Sequence, residues 1–309
     1  MRRFFKDWNI EVYTLGGVRS ADKALRALES IIDDNYYYVV LLGRENERLK
    51  ELDRFFPDNV AFQVVDKSKI RSARLTEIAL NFERGRAKIR NVAGWNGEAY
   101  YFSKHVRDII IRSENPAIDI FIGFRGFNEI LESFIGSIGR YPLIVRDFGG
   151  LHHVYSGKTK IAELIIPDEG EQVKAFRFNE PLVDVDLNKV ISANEEIIKL
   201  HESISLKFLE QFKGKGDVIV PWSGGKDSTC ALLLALKVFK NVTAIFVDTG
   251  LEFPETMDYI EEVSKKLNVK VEIEHARIDE EVKVRGLPTI DDRWCTCLLY
   301  TSPSPRDRG

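Results

Sequence analysis

Apolar runs alternate with amphipathic stretches over the first 140 residues, a pattern typical of strands that are each followed by a helix. The predicted strands are Glu11–Leu15, the run YYYVVLLG that ends at Gly43, Asn59–Val65 and Ile118–Phe124. The predicted helices are one that Ser20 caps, a polar one that ends near Phe55, and one at Arg74–Arg86. The alternation predicts an α/β domain with a mostly parallel sheet over residues 1–140. The sequence assigns no chemistry to this domain.

Short alternating strands replace this pattern from residue 141 to residue 185, which predicts a small β-rich subdomain. The predicted strands are Leu143–Phe148, Leu151–Tyr155 and Lys160–Ile166, with a turn at Gly149 and Gly150. The string SGKT at Ser156–Thr159 imitates half of a phosphate-binding Walker A loop, but it lies between strands, so we interpret it as a turn. His152 and His153 point to opposite faces of a strand, which favours a surface pair over a shared metal site.

Buried strands and helices return in the last third of the chain, which predicts a parallel-sheet domain over residues 186–296. The predicted order is a helix at Asp186–Phe212, a strand at Asp217–Val220, an apolar buried helix at Thr229–Phe239, and strands at Val242–Val247 and Val269–Glu274. The predicted fold class is therefore α/β: an N-terminal α/β domain, a small β-hairpin region, and a truncated parallel-sheet domain of the Rossmann-like kind.

Composition narrows the classes of protein without naming one. The 309 residues carry 45 basic and 48 acidic side chains, a formal net charge of -3, so a nucleic-acid partner would need a local basic patch and stays uncertain. No run of about 18 apolar residues predicts a membrane span, and no membrane partner is expected. With three cysteines and no secretory signal, the cytoplasm is the expected compartment.

The string CLLYTSPSPRDRG, residues 297–309, lacks any apolar period. It resembles the translation of a sequencing adapter, so we expect residues 297–309 to be non-native and the chain to be cut short. The Cys295 and Cys297 pair then loses one member, and with it a metal-binding interpretation.

A glycine-containing loop between the strand at Asp217–Val220 and the following helix is the segment best suited to chemistry. Its residues are Ser223, Gly224, Gly225, Lys226, Asp227 and Ser228. The glycines allow close approach of a ligand, and the amides of the helix start, with the helix dipole, favour a phosphate. The lysine adds a positive charge and the serine hydroxyls can donate to the same group. Asp227 would orient Lys226, cap the helix or help to hold Mg²⁺.

Val220 stands where a Walker A loop has its first glycine, so this loop is of another kind. It resembles the PP-loop, SGGxDS, of the ATP pyrophosphatase superfamily. Asp248, Thr249 and Gly250 follow the next predicted strand, at the same edge of the sheet. The string DTGLEFPET that starts at Asp248 resembles the phosphoadenylyl-sulfate reductase family, a branch of that superfamily, and the resemblance implies that this corner lies against the adenosine.

The segment Arg293–Thr296, RWCT, also resembles a part of that family that faces the substrate side. The resemblance implies Lys226, Asp227 and Arg293 as candidate catalytic residues, with Arg293 holding an anionic oxygen of the acceptor, while a solvated loop arginine is the open alternative. Cys230 lies within the apolar helix and is predicted to be a core residue. Cys295 stays a candidate for a reactive thiol.

The family resemblance implies an adenine-nucleotide-binding enzyme of sulfur metabolism, whose cofactor is ATP or an adenylyl sulfate, with Mg²⁺. Either ATP is cleaved between its α and β phosphates or sulfite is released from adenylylated sulfate; the whole SGGxDS favours ATP. An iron–sulfur cluster stays open, because its cysteines would lie beyond residue 296. The alternative from another functional class is a non-catalytic protein that senses a nucleotide or serves as a scaffold. The acceptor and the oligomeric state are not specified by the sequence.

Overall fold

The computed structural model of the chain describes residues 5, 10–18, 20–167, 172–287 and 289. The chain divides into two compact units between Ile204 and Ser205. The domain limits predicted at residues 140, 185 and 296 stay predictions.

The first unit contains helices and both parallel and antiparallel strands. In chain order its regular elements are α1 (Ala21–Glu29), β1 (Tyr38–Gly43), β2 (Val60–Val65), α2 (Leu75–Arg90), β3 (Val92–Trp95), β4 (Tyr100–Tyr101), β5 (Asp108–Arg112), β6 (Asp119–Ile122), α3 (Arg125–Ile135), β7 (Leu143–Arg146), β8 (Leu151–Ser156), β9 (Thr159–Ile165), β10 (Lys174–Arg177) and α4 (Leu187–Ala193). Helix α5 (Glu195–Glu210) crosses the boundary between the units. Short 3-10 segments lie at Arg44–Phe55, Ile70–Ser72 and Phe148–Gly150.

The strands of the first unit form separate sheets with different hydrogen-bonding directions. Strands β1 and β2 pair in parallel, and α1 packs on them through Ala24 and Leu28. Strands β4, β3 and β5 form a second, antiparallel sheet. Among the described residues, the third sheet is antiparallel with the order β10-β9-β8-β7-β6, and α3 packs on it through Leu131 and Ile135.

The prediction of a mostly parallel sheet in the N-terminal region is wrong. Only β1 and β2 pair in parallel there among the described strands, and β6 joins β7 antiparallel, with Asp119 opposite Arg146. An apolar run predicts a buried strand but not its neighbour or its direction. The strand predicted at Glu11–Leu15 is also absent from the described structure. Leu15 packs against the β1–β2 core from a segment that belongs to no ladder.

The long helix predicted from Asp186 to Phe212 is divided at Asn194. This residue ends α4 with non-helical backbone angles. Its buried side chain donates to the carbonyl of Tyr100 at 2.8 Å and accepts from the amide of Phe102 at 2.7 Å. Bonds to a neighbouring strand therefore fix the break, which periodicity along one segment does not reveal.

The predicted turn at Ser156–Thr159 is confirmed, because Gly157 and Lys158 connect β8 to β9 with Ser156 opposite Thr159. Gly157 has φ +56°, a left-handed conformation that glycine adopts readily. The surface pair of histidines is wrong for His152, which is buried with its Nδ1 2.7 Å from the carbonyl oxygen of Gly150. Burial lowers the pKa of this imidazole.

The second unit contains a parallel sheet with helices packed on one of its faces. Its elements are β11 (Val218–Pro221), α6 (Lys226–Val238), β12 (Val242–Asp248), α7 (Pro254–Leu267), β13 (Lys270–His275) and α8 (Ile278–Arg285). The strand order is β11-β12-β13 and both pairings are parallel. One core joins α6 and α7 to the same face; its buried residues are Val220, Trp222, Leu232, Ala235, Ala244, Phe246, Ile260 and Val269.

The predicted α/β fold class is confirmed, since parallel strand–helix–strand units occur beside antiparallel hairpins. Among the residues that the structure describes, no helix combines the length and the apolar character that crossing a bilayer requires.

Candidate functional site

The loop singled out by the sequence connects the carboxyl end of β11 to the start of α6. Strand β11 ends at Pro221, and α6 begins at Lys226 with Gly225 as its N-cap residue. The N-cap has no side chain to satisfy the first amides of the helix, and Thr229 is bonded back to the carbonyl of Gly225 at 2.9 Å. The earlier amides of the first helical turn have no intrahelical acceptor. The helix therefore begins with backbone N–H groups that can donate hydrogen bonds to a ligand in the loop.

Two serine hydroxyls close the loop on itself. The Oγ atoms of Ser223 and Ser228 lie 3.1 Å apart, and the Ser223 amide points to Ser228 Oγ at 3.3 Å. Ser228 Oγ donates to the carbonyl of Gly225 at 3.1 Å. These contacts hold the two hydroxyls side by side in the loop. Each hydroxyl can rotate to donate a hydrogen bond to an oxyanion instead.

Gly224 is the loop position where glycine is required by conformation. Its φ is +75°, and a Cβ there would lie 3.3 Å from Ile260 Cδ1 on α7. Gly225 has φ -70° and needs no such freedom. The loop thus lies close against α7, and a side chain at Gly224 would strain the backbone.

Trp222, which precedes the loop, anchors it in the core. It is 1% exposed, its amide donates to the carbonyl of Ile245 on β12 at 2.8 Å, and its Nε1 donates to Thr229 Oγ1 at 2.9 Å. The indole therefore connects the strand side of the loop to the helix side. Sequence analysis assigned Trp222 no role, although a tryptophan between a buried strand and a glycine pair was visible.

Lys226 and Asp227 project from the loop into solvent. The ammonium of Lys226 lies 2.8 Å from Asp227 Oδ1, and their side chains are 74% and 90% exposed. An exposed ion pair of this kind contributes little to stability. The lysine can consequently exchange this partner for a phosphate oxygen at small cost.

The second corner of the site follows β12 and consists of Asp248, Thr249 and Gly250. The carboxylate of Asp248 accepts the Gly250 amide at 2.8 Å, and Thr249 Oγ1 donates to Glu252 Oε1 at 2.9 Å. Because β11 and β12 are adjacent parallel strands, this corner and the loop lie at the same carboxyl edge, where open parallel sheets bind ligands. The structure thus brings the sequence-predicted residues of both segments to one edge.

A third corner, after β13, was missed by sequence analysis. His275 ends β13 with its Nδ1 3.1 Å from Asp248 Oδ2. Its place at this edge had a signal, because His275 directly follows the predicted parallel strand Val269–Glu274, but its contact with Asp248 depends on the register between the strands. The carbonyl oxygen of Thr249 accepts hydrogen bonds from the amides of Ile278 and Asp279.

Other candidates differ from their predictions or fall outside the described residues. Cys230 is exposed, so its assignment to the core is wrong. The prediction that the apolar helix Thr229–Phe239 is buried is correct for one face only: Leu232 and Ala235 are buried, whereas Leu233 is 41% exposed. Arg293, Cys295 and residues 297–309 lie outside the described residues.

The loop after β11 offers one carboxylate, that of Asp227, as a ligand for Mg²⁺. In the described part of the chain no three His, Cys, Asp or Glu side chains are grouped to hold a metal ion. Mg²⁺ in nucleotide sites commonly takes one or two carboxylates together with phosphate oxygens. Asp227, at the loop and exposed, fits the role of a single carboxylate ligand.

Comparison with known families identifies the C-terminal region. Residues 217–299 match the family model of the phosphoadenosine phosphosulfate reductase domain. The match spans the loop, the Asp248 corner and the His275 corner. It confirms the family that the strings SGGKDS and DTG predict.

Two proteins of Methanocaldococcus jannaschii are similar to the chain, and both are uncharacterized. One, MJ0066, is 36% identical over 157 residues, 50% of this chain and 32% of the relative. The other, MJ0973, is 36% identical over 132 residues, 42% of this chain and 32% of the relative. The aligned part spans about a third of the length of each relative.

Among solved structures, a glutamine-dependent NAD+ synthetase from Acinetobacter baumannii in complex with ADP matches at 11% sequence identity and a TM-score of 0.27. The match covers 93% of this chain and 41% of that chain. A similarity this low supports no inference about fold or site.

Proposed function

We propose, on the premise that residues 217–299 belong to the phosphoadenosine phosphosulfate reductase domain family, that this region binds an adenine nucleotide and that the protein acts on its α-phosphate. The observation that carries the proposal is the loop after β11. A helix start without a side-chain cap and two serine hydroxyls lie there, and Lys226, the first residue of the helix, carries an exposed ammonium within reach of a ligand in the loop. Each of these groups favours an anion, and a phosphate chain matches all of them.

Each residue of the loop has a proposed role. Ser223, Gly224, Gly225 and Ser228 form the seat of the phosphates through their amides and hydroxyls. Lys226 neutralises phosphate charge. Asp227 orients Lys226, or holds Mg²⁺ that the phosphates bring. Asp248, Thr249 and Gly250 line the adenosine side.

Two reactions at a bond to the α-phosphate group are consistent with this arrangement. In one, the bond between the α and β phosphates of ATP breaks, the adenylyl group passes to an acceptor and pyrophosphate leaves. In the other, a thiol attacks the sulfur of an adenylyl sulfate, the bond from that sulfur to the α-phosphate oxygen breaks and AMP leaves, and a second thiol then releases sulfite as the two thiols become a disulfide. The complete SGGKDS string favours ATP. Sulfur metabolism is the proposed setting in both cases. The cytoplasm is the compartment that this setting suits.

Binding and turnover test the proposed function separately. Calorimetric titration of the 309-residue chain with ATP, and in parallel with an adenylyl sulfate, is expected to show saturable binding of at least one of the two. Loss of the signal on mutation of the loop, with retained folding, is expected as well. Absence of binding for both nucleotides would reject the proposal.

A non-catalytic nucleotide sensor is the second candidate, and only turnover distinguishes it. Release of AMP and pyrophosphate from ATP, or of sulfite from an adenylyl sulfate with a thiol reductant, identifies an enzyme. Tight binding without either product identifies a sensor.

Arg293 is proposed for the acceptor side of the reaction. Its planar guanidinium donates two parallel hydrogen bonds to a sulfate or phosphate, a geometry that lysine cannot reproduce. In a chain that shows turnover, Arg293→Lys is expected to reduce the rate at least about tenfold, or about 1.4 kcal/mol in the barrier, with ATP affinity nearly unchanged. Normal turnover, or equal loss of ATP binding, would remove Arg293 from this role.

A further inference from the structure

The corner after β13 is bonded to the Asp248 corner along the backbone. The amide of Ala276 donates to the carbonyl of Asp248 at 2.8 Å, and the amide of Ile278 donates to the carbonyl of Thr249 at 3.0 Å. These contacts continue the β12–β13 ladder, in which Asp248 stands opposite His275. The two corners therefore hold each other in place.

The packing between these corners leaves no free space at Gly250. Its φ is +75°, and a Cβ on it would lie 2.5 Å from Asp279 Oδ1. The side chain of Asp279, at the start of α8, therefore packs directly against this corner. The backbone of the corner is thus fixed by its neighbour rather than by its own sequence alone.

The Asp248 side chain is held from two sides. Its Oδ1 accepts the Gly250 amide at 2.8 Å, and its Oδ2 lies 3.1 Å from His275 Nδ1. The carboxylate side chain is 19% exposed, while the imidazole is 67% exposed. The bond from the Gly250 amide is local to the turn. The contact from His275 is therefore the one that fixes the orientation of the Asp248 carboxylate relative to the neighbouring strand β13.

An ion pair or hydrogen bond this exposed contributes little to global stability. The contact between His275 and Asp248 joins the ends of two strands at the edge of the sheet where a ligand would bind, which indicates a role in the site and not in stability. We propose that His275 is a positioning residue of the nucleotide site, which acts by holding the Asp248 carboxylate in the orientation that the nucleotide meets. This proposal rests on the proposed function above and adds to it a residue outside the SGGKDS and DTG strings.

A double-mutant cycle on ATP binding tests this role. His275→Ala is expected to weaken ATP binding by about fivefold, which is about 1 kcal/mol at 25 °C, with the melting temperature unchanged within error. His275→Asn is expected to restore most of the affinity, because its amide N–H can replace the donor at Nδ1. In an Asp248→Ala background, His275→Ala is expected to have no further effect. Glu274→Gln, one residue earlier on β13, is the matched control and should bind like the wild type.

Several outcomes would overturn the proposal. Wild-type affinity in His275→Ala would show that the contact is unused. A loss that persists in the Asp248→Ala background, or that accompanies a lower melting temperature and is not restored by asparagine, would assign His275 a structural role instead. If the wild type binds ATP and either of these results is found, only the positioning role is rejected. If the wild type does not bind ATP, the proposed function is rejected and this proposal with it.

Discussion

Trp222→Ala is expected to lower the free energy of unfolding of the second unit by about 3 to 5 kcal/mol, the usual cost of emptying a buried tryptophan site. The indole is 1% exposed and lies in one core with Val220, Leu232 and Phe246. The substitution also removes the hydrogen bond from Nε1 to Thr229 Oγ1. Urea denaturation followed by far-UV circular dichroism measures the effect.

Trp222→Phe serves as the matched variant, since it keeps an aromatic ring but loses the bond to Thr229. We expect it to cost less than the alanine variant, about 1 to 2 kcal/mol, the scale of losing one hydrogen bond to the half-buried Thr229 hydroxyl together with part of the indole packing. A loss below about 1 kcal/mol in Trp222→Ala would contradict the anchoring role, because cavity formation in a packed core costs more.

Lys226→Ala is expected to weaken ATP binding by about 1.5 to 3 kcal/mol, about 10- to 150-fold in Kd, the scale of a lost charge-assisted hydrogen bond. The ammonium is exposed and held by an ion pair with Asp227 at 2.8 Å, so a phosphate can take over this contact. Calorimetry with ATP measures the change.

Lys240→Ala removes the same charge from an exposed position beyond the end of α6 and serves as the control. Its ATP affinity should equal that of the wild type. Equal affinity in Lys226→Ala and the wild type would remove Lys226 from the phosphate site. An equal loss in both variants would show that only the overall charge matters.

The core of the second unit could be predicted closely from the sequence. Strands predicted at Asp217–Val220 and Val242–Val247 are found at Val218–Pro221 and Val242–Asp248. Short β-branched runs, each followed by a glycine-containing corner and a helix, leave few alternatives to a parallel sheet. The same regularity placed the loop and the Asp248 corner at one edge.

Burial could not be predicted with the same success. Cys230 and Leu233 belong to a nearly continuous apolar helix, yet both are exposed. An apolar composition indicates that a helix can be buried. How many sides of the helix are covered by other elements depends on tertiary packing, which the composition does not specify. In the first unit, strand direction was missed for a related reason, because β6 finds its partner in β7 across a helix.

His275 was missed because its role depends on register between strands. Along the sequence it is separated from Asp248 by a helix and a strand, and neither residue has a partner nearby that suggests the other. Once β12 and β13 pair with Asp248 opposite His275, the contact follows directly.

Hydrogen–deuterium exchange with and without ATP tests the central claim most directly, that residues 223–228 bind the phosphates of an adenine nucleotide. The account predicts slower exchange of amides in Ser223–Ser228 and Asp248–Gly250 when ATP is bound, because these amides gain acceptors or lose solvent. Ser156–Thr159, the turn that imitates a phosphate loop, is the internal control and should exchange at an unchanged rate. Unchanged exchange at Ser223–Ser228 under saturating ATP, or protection confined to Ser156–Thr159, would contradict the account.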